Sequence, residues 1–414
     1  MSLTVEQTCI IIGASHGGVS AAFALRKEGW QGSILLIDSD PCLPYHRPPL
    51  SKAYLTSSDN VQPQIIKPEA SYEKNNITLK LGVLVTNFDK ENQVVSLNNG
   101  EALNYDKLII ATGARPFIPP ITGIEQAKNL FALRTQADVE QIREAVTHSK
   151  HKRVVIIGGG YIGLETAASI KKLGGEVTVL ERESRLLARV TSPEMSDYFK
   201  QLHISNGVTI ETNQNVKSIQ NIDGTQVVCC ENEQTFTADI IIVGVGIRVN
   251  QELAQQAGLT VENGITVNEQ CQTSNENIFA IGDCAYHHNK HYDRWLRLES
   301  VQNAVDQAKI SAAVICGKDV SYDALPWFWS DQFDVKLQMV GLATGYDDVI
   351  IRKEVEEASK FSVWYFKGAE LLAVDAINHA KAYVLGTKLI KNKTVINKTQ
   401  LANEELPLSI DNLT

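Results

Sequence analysis

The chain has 414 residues, of which 43% are hydrophobic and 21% charged, with a formal net charge of -9. That length exceeds one simple core and predicts about two to four compact units, and the composition excludes a disordered or collagen-like chain. The acidic balance argues against nucleic acid as a partner, since phosphate binding calls for clustered Lys and Arg; the seven scattered cysteines, with no C-x-x-C, exclude a disulfide framework or zinc motif.

The N-terminal MSLTVEQ runs directly into an apolar strand pattern, with none of the features of a secretory signal. No apolar run reaches the roughly 18 residues that cross a bilayer. Both observations predict a soluble cytoplasmic protein with no membrane partner.

Residues 8–12 (TCIII) read as a short strand that stops at Gly13, followed by small residues and an apolar-periodic helix through Val19, Phe23 and Leu25. A second apolar run, Ile34 to Ile37, ends in Asp38, which completes a βαβ pattern. The strand Leu108 to Ile110 then stops at Thr112-Gly113 and turns at Pro116, the form of a crossing between domains. At residues 153–157 (RVVII) the opening pattern returns, leading through Gly158-Gly159-Gly160-Tyr161-Ile162-Gly163 into an Ala-rich helix and a strand that ends before Glu181. Ile240 to Val243, stopping at Gly244-Val245-Gly246, marks the return crossing. After Pro326 the alternating segments VKLQMVGL, DVIIRK and FSVWYF predict an antiparallel sheet, covered by a helix over His379–Lys391 with Ala382, Leu385 and Leu389 on one face.

The two glycine turns carry the chemistry. In the second, Gly158 permits the tight turn, Gly160 lets the backbone approach a pyrophosphate, and Gly163 lets the helix pack on the strand. The helix N-terminus then faces the phosphates. Glu181, 18 residues after Gly163, stands where a carboxylate accepts hydrogen bonds from ribose hydroxyls and repels the 2'-phosphate of NADPH, favouring NADH, although Arg182 and Arg185 nearby keep NADPH open. The first turn, Gly13-Ala14-Ser15-His16-Gly17-Gly18, departs from the pattern at Ser15, whose Cβ narrows the approach, while Asp38 supplies the acid. Two dinucleotides in one chain point to hydride transfer between nicotinamide and flavin.

Beyond these motifs, Tyr45 to Lys52 (YHRPPLSK), Gly158 to Glu165 (GGGYIGLE), Thr273 to Ala285 (TSNENIFAIGDCA), Leu298 to Ala308 (LESVQNAVDQA) and Pro326 to Phe333 (PWFWSDQF) resemble the signatures of the FAD-dependent ferredoxin and rubredoxin reductases of oxygenase systems. The resemblance spans nearly the whole chain and implies an α/β, glutathione-reductase-like fold with two Rossmann-type domains and a C-terminal α+β domain bearing an antiparallel sheet. The expected division is an FAD domain in two segments, 1–114 and 247–323, an NAD domain at 115–246, and a C-terminal interface domain at 324–414.

The resemblance further implies tightly bound FAD touched by Gly13, Ser15, His16, Asp38, Arg47, Lys52, Val85, Ala111, Thr112, Gly113, Arg134, Gly282, Asp283 and Val301, with Trp329 near the isoalloxazine. NADH would meet Gly158, Gly160, Tyr161, Ile162, Gly163, Glu181, Arg189 and Gly246. Lys52 and Glu165 look like the family's charged pair at the flavin, a catalytic pair in which a positive charge eases the arrival of hydride. The partner implied is a small iron-sulfur protein, ferredoxin or rubredoxin, and monomer and homodimer both stay open.

Other readings remain beside this one. An NADH oxidase or peroxidase would use Cys42, yet the next cysteine in sequence is Cys229. A flavin-bound redox-sensing interaction protein is the third. His287, His288 and His291 read as a solvated loop and not as metal ligands, Cys284 as a buried thiol, and Arg294, Arg297, Lys388 and Lys391 as a basic patch for an acidic acceptor.

Overall fold

Five β-branched or sulfur-bearing residues with no polar break make Thr8–Ile12 a strand that must be buried on both faces. In a computed structural model, which describes residues 7–58, 61–222, 225–355 and 357–414, it is the central strand of a five-stranded sheet. Ser33–Asp38 and Ile77–Leu81 lie on one side of it, Lys107–Ile110 and Ile278–Ala280 on the other, all parallel. Each crossover is long enough to place helices over the faces, as parallel pairing requires. Helices His16–Glu28 and Val301–Ile315 pack together on one face, where Val19, Leu25, Phe279, Ala308 and Ala312 are fully buried.

The chain forms two compact units. The first gathers Met1–Arg47, Pro63–Arg115 and Arg248–Pro326; the second gathers Pro48–Gln62, Pro116–Ile247 and Trp327–Thr414. The second unit repeats the parallel design around Arg153–Ile157, flanked by Glu176–Leu180 and Thr209–Glu211 on one side and by Ile240–Val243 and Leu130–Ala132 on the other. It also holds the antiparallel sheet, whose strands run in the order Trp327–Gln332, Val335–Gly341, Glu370–Ile377, Glu357–Lys367 and Asp348–Glu354. Helix Ala380–Lys391 buries Ala382, Leu385 and Leu389, the face that the sequence assigns to it, together with Gly386. A Cβ on Gly386 would lie 2.6 Å from the Val374 side chain, so the helix seats against the sheet only because that position is bare.

Two expectations are corrected here. His287 and His288 lie on strand Ala285–Asn289, paired antiparallel with Arg294–Leu296, and His287 is buried against the Tyr322 ring with its Nδ1 3.3 Å from Gln307 Nε2. Polarity alone concealed this, because the partners that enclose the imidazole come from a distant helix and loop. Arg297 is held by Glu299 at 2.8 Å and donates to the carbonyls of Asn263 and Asp283, so it braces the unit from within and is no member of a basic surface.

Burial, with His288 adding to it, pushes the His287 pKa from 6.5 down to about 4. The neutral ring is therefore the folded form, and its contribution is complete above 6.5 and is lost as the pH falls toward 4. At pH 5 the cost is about 2 kcal/mol. Urea titrations at pH 7.5 and 5 should show this loss shrinking by about 2 kcal/mol in His287→Gln; an unchanged loss would refute it.

Candidate functional site

The two glycine turns superimpose in their logic, contact by contact. Gly13 has φ 105° and Gly158 φ 113°, and a Cβ at either would sit 2.3 or 2.4 Å from the carbonyl oxygen of Ala111 or Gly244. Those carbonyls belong to the segments leaving Lys107–Ile110 and Ile240–Val243, so each turn is pressed against the end of a neighbouring strand. Five residues on, a Cβ at Gly18 would lie 1.8 Å from Gly13 O, and one at Gly163 2.1 Å from Gly158 O. These are backbone atoms, and only glycine fits. At the middle position the constraint vanishes: a Cβ on Gly160 meets nothing within 4 Å, which explains why the matching position in the first turn tolerates Ser15.

The acids do more than the sequence suggests. Asp38 Oδ2 accepts the Ala14 N–H at 2.5 Å and Oδ1 the Asp40 N–H at 2.9 Å. Glu181 repeats this, taking the Gly159 N–H on Oε2 at 2.7 Å and the Glu183 N–H on Oε1 at 2.8 Å. Each carboxylate thus fixes its own turn and keeps acceptor capacity for a further donor, since a carboxylate has about four acceptor sites.

Both helix starts leave their amides open. Helices His16–Glu28 and Tyr161–Lys172 begin with no side-chain cap and no acid in the first turn. By contrast Gln136–His148, Pro193–Ser205 and Val301–Ile315 are capped by Thr135, Ser192 and Ser300. Uncapped amides at a helix start carry partial positive charge and suit a pyrophosphate. In the first unit a cleft beside the turn is lined by Ala14, Ser15, Asp38, Asp40, Cys42, Pro44, Tyr45 and Arg47. Arg47 Nε donates to Ser15 Oγ at 3.0 Å, leaving the hydroxyl proton available to a ligand, and His16 Nε2 lies 3.1 Å from His46 Nδ1. Burial lowers the His46 pKa.

The remaining flavin candidates divide between the units. Val85 is buried on Val85–Asp89, and Ala111, Thr112 and Gly113 follow Lys107–Ile110, with Thr112 and Asn250 exchanging hydrogen bonds at 2.7 and 2.8 Å. Gly282, at φ 75°, donates its N–H to Gln307 Oε1 at 2.8 Å, placing Asp283 in the short helical turn Gly282–Cys284, and Val301 opens its helix. Cys284 is fully buried and its pKa is raised by that burial. These residues belong to the first unit, whereas Lys52, Arg134 and Trp329 belong to the second.

In the second unit Tyr161 and Ile162 open their helix and Gly246 has φ 123° with open space where a side chain would be. Arg189 is exposed on the loop after Leu186. Lys52 follows the short turn Pro48–Ser51 and pairs with Glu165 at 2.9 Å, the carboxylate 2% and the lysine 18% exposed. Two hydroxyls complete the carboxylate shell: Ser51 Oγ donates to Oε2 and Ser330 Oγ to Oε1, each at 2.6 Å. The sequence reading passed over both serines, though they adjoin the residues it singled out, one before Lys52 and the other after Trp329.

Trp329 stacks at 5.5 Å on Trp327, which reaches the surface beside Tyr383. Among the described residues no group of three His, Cys, Asp or Glu side chains is arranged to hold a metal, and no helix is long and apolar enough to cross a membrane.

Comparison with known proteins agrees with this geometry. The family model described as pyridine nucleotide-disulphide oxidoreductase matches residues 7–308, and one described as reductase C-terminal matches residues 327–410. The chain is 41% identical to putidaredoxin reductase of Pseudomonas putida over 411 residues, 98% of this chain and 97% of that one. It is 39% identical to rhodocoxin reductase of Rhodococcus erythropolis over 402 residues, 97% and 93% of the two chains. The reductase in the crystal structure of the covalent putidaredoxin reductase–putidaredoxin complex superimposes with a TM-score of 0.91 at 40% identity, covering 97% of each chain.

Proposed function

The chain belongs to the pyridine nucleotide-disulphide oxidoreductase family, and from that premise we propose that it is an FAD-dependent NADH reductase that delivers single electrons to a small iron-sulfur protein, a ferredoxin or rubredoxin serving an oxygenase. The observation that carries this reading is the duplicated glycine turn, each copy with an uncapped helix and a carboxylate tied to its backbone. One turn serves a resident nucleotide and the other a transient one. Relatives at 41% and 39% identity, matched over nearly their full lengths, are named for redoxin partners, which supports the choice of acceptor.

When bound, the flavin supplies the step that nicotinamide cannot, accepting electrons as a hydride and releasing them singly. The protein's own part is binding, orientation and charge. We assign the flavin to residues 1–114 and 247–323, NADH to 115–246 and the acceptor interface to 324–414. Asp38 and Glu181 hold the turns and receive ribose hydroxyls, and Ser15 and Arg47 serve the flavin pyrophosphate. Lys52 presents a positive charge where negative charge develops, and Glu165 balances it.

NADH is favoured over NADPH by the state of the two nearby arginines. Arg185 is committed, donating to the carbonyls of Thr191 and Ala188 and to Ser196 Oγ, and Arg182 is paired with Glu183 at 2.8 Å. Arg185 is thereby withdrawn from a 2'-phosphate, and the Glu183 carboxylate beside Arg182 opposes one. We place the reaction in the cytoplasm, where NADH is supplied.

The protein should purify yellow, lose its flavin band to stoichiometric NADH under argon, and then reduce a purified [2Fe-2S] ferredoxin faster than it consumes oxygen. Colourless protein that takes up no flavin would overturn this reading. Rapid oxygen or peroxide consumption abolished by Cys42→Ser would move it to the oxidase class.

A further inference from the structure

A buried polar cluster lies away from the glycine turn yet is built onto it. Thr191 Oγ1 and Tyr365 Oη both donate to Asp375 Oδ2, at 2.9 and 2.6 Å, and the Ser192 N–H donates to Tyr365 Oη at 3.3 Å. Thr191, Tyr365 and Asp375 are all buried. Burial raises the Asp375 pKa to about 6, so a carboxylate is kept here against an evident cost. What the carboxylate adds is a fixed geometry: its two donors hold Thr191 and Tyr365 in one arrangement, and the Tyr365 hydroxyl accepts the Ser192 N–H in turn.

What the cluster holds is the segment between strand Glu176–Leu180 and helix Pro193–Ser205. Thr191 and Ser192 end that segment, and Ser192 also caps the helix through its side chain. Its other end and its middle are fastened to the nucleotide turn, because Glu181 Oε2 accepts the Gly159 N–H at 2.7 Å and the Leu187 N–H donates to Gly159 O at 3.1 Å. Between them Arg185 ties Ala188 to Thr191, and Arg189 is left exposed. A second anchor comes from the same sheet: Tyr161, the first residue of the nucleotide helix, donates to Met339 Sδ at 2.9 Å, and Met339 is the cross-strand neighbour of Asp375.

We propose that Thr191, Tyr365 and Asp375 are positioning residues for the nicotinamide dinucleotide, fixing the Arg185–Thr191 loop so that Arg189 and the Gly158–Gly163 turn are presented together. This rests on the reading that the second turn takes NADH. The cluster touches no reacting atom, so it acts on binding and leaves the electron-transfer steps alone.

The test is Thr191→Val in the flavin-loaded protein, with Thr191→Ser as the conservative control. The dissociation constant for NAD+ is measured by calorimetry, and KM and kcat for NADH with ferricyanide as acceptor. Thr191→Val should weaken NAD+ binding and raise KM about tenfold, with kcat within about twofold, and Thr191→Ser should restore both. Should the valine variant not fold, Tyr365→Phe removes one hydroxyl with its ring in place and is read in the same way. Unchanged NAD+ affinity, or a fall in kcat at constant KM, overturns the proposal alone. Wild-type protein that binds no NAD+ and is not bleached by NADH overturns the functional reading as well.

Discussion

Gly163→Val protein will purify yellow and stay yellow under NADH, whereas Gly18→Val protein will purify without colour. Both substitutions push a side chain into a carbonyl of the preceding turn, which a Cβ would approach to 2.1 Å at Gly163 and 1.8 Å at Gly18. Neither contact can be relieved by a side-chain rotation, because the obstructing atoms are backbone. The turn must open, at a cost of about 1–3 kcal/mol or more, and the amides at the helix start swing away from the phosphates. A displacement of about 1 Å in a positioned group costs roughly 100-fold in rate, and that is the least expected for bleaching of Gly163→Val by NADH under argon.

The pair of variants also assigns the turns. Dithionite should bleach Gly163→Val normally, since the flavin is retained, and a melting curve close to that of the parent protein would show that the damage is local. Gly160→Ser supplies the contrast: space is open there and Ser15 already occupies the matching place, so this variant should fold and bind NADH more weakly without losing it. If instead Gly163→Val lost its flavin and Gly18→Val kept it, the two turns would have to exchange their nucleotides.

These turns were legible in the sequence because one constraint in each is local, although the pressure of Ala111 O on Gly13 and of Gly244 O on Gly158 comes from distant segments. Gly18 is needed on account of Gly13, and Gly163 on account of Gly158, so the spacing itself records the contact. The antiparallel sheet was legible for a similar reason, since Val335, Leu337 and Met339 alternate with Lys336 and Gln338 on one strand and bury one face. The strand Trp327–Gln332 carries no such signal: three aromatic residues are followed by three polar ones with no alternation, and its partner strand decides the matter.

Residues whose partners are remote left no such mark. Thr191 and Asp375 are 184 positions apart, Ser330 and Glu165 are 165 apart, and a hydroxyl carries no periodicity by which to find its acceptor. His287 misled for the same reason. Its neighbours along the chain are polar, and its burial comes from Gln307 and Tyr322.

Glu165→Gln should slow NADH-driven bleaching by about 10- to 100-fold and Lys52→Met by about 100- to 1,000-fold, the range for removing one preorganised electrostatic group. The difference follows from the geometry. Glu165 accepts from three donors, the Lys52 ammonium and the hydroxyls of Ser51 and Ser330. A glutamine in its place has one acceptor oxygen and must turn its NH2 toward donors on the other side, so one hydrogen bond becomes a clash. Ser330 can answer by rotating its hydroxyl, and the glutamine survives in a poorer arrangement.

Methionine at position 52 leaves no charge to rearrange. It also strands the carboxylate, buried at 2% exposure, with only two hydroxyls, and leaving one member of a buried pair alone costs about 3–5 kcal/mol. The double variant Lys52→Met/Glu165→Gln should then be more stable than Lys52→Met by recovering part of that cost, yet no faster, because the charge is still missing. Residues that act on one step as a unit give rate losses that do not add. Stopped-flow bleaching and thermal melting of the three proteins separate the two quantities: rates that multiply independently would mean that Lys52 and Glu165 serve the reaction apart, and that their 2.9 Å contact is structural only.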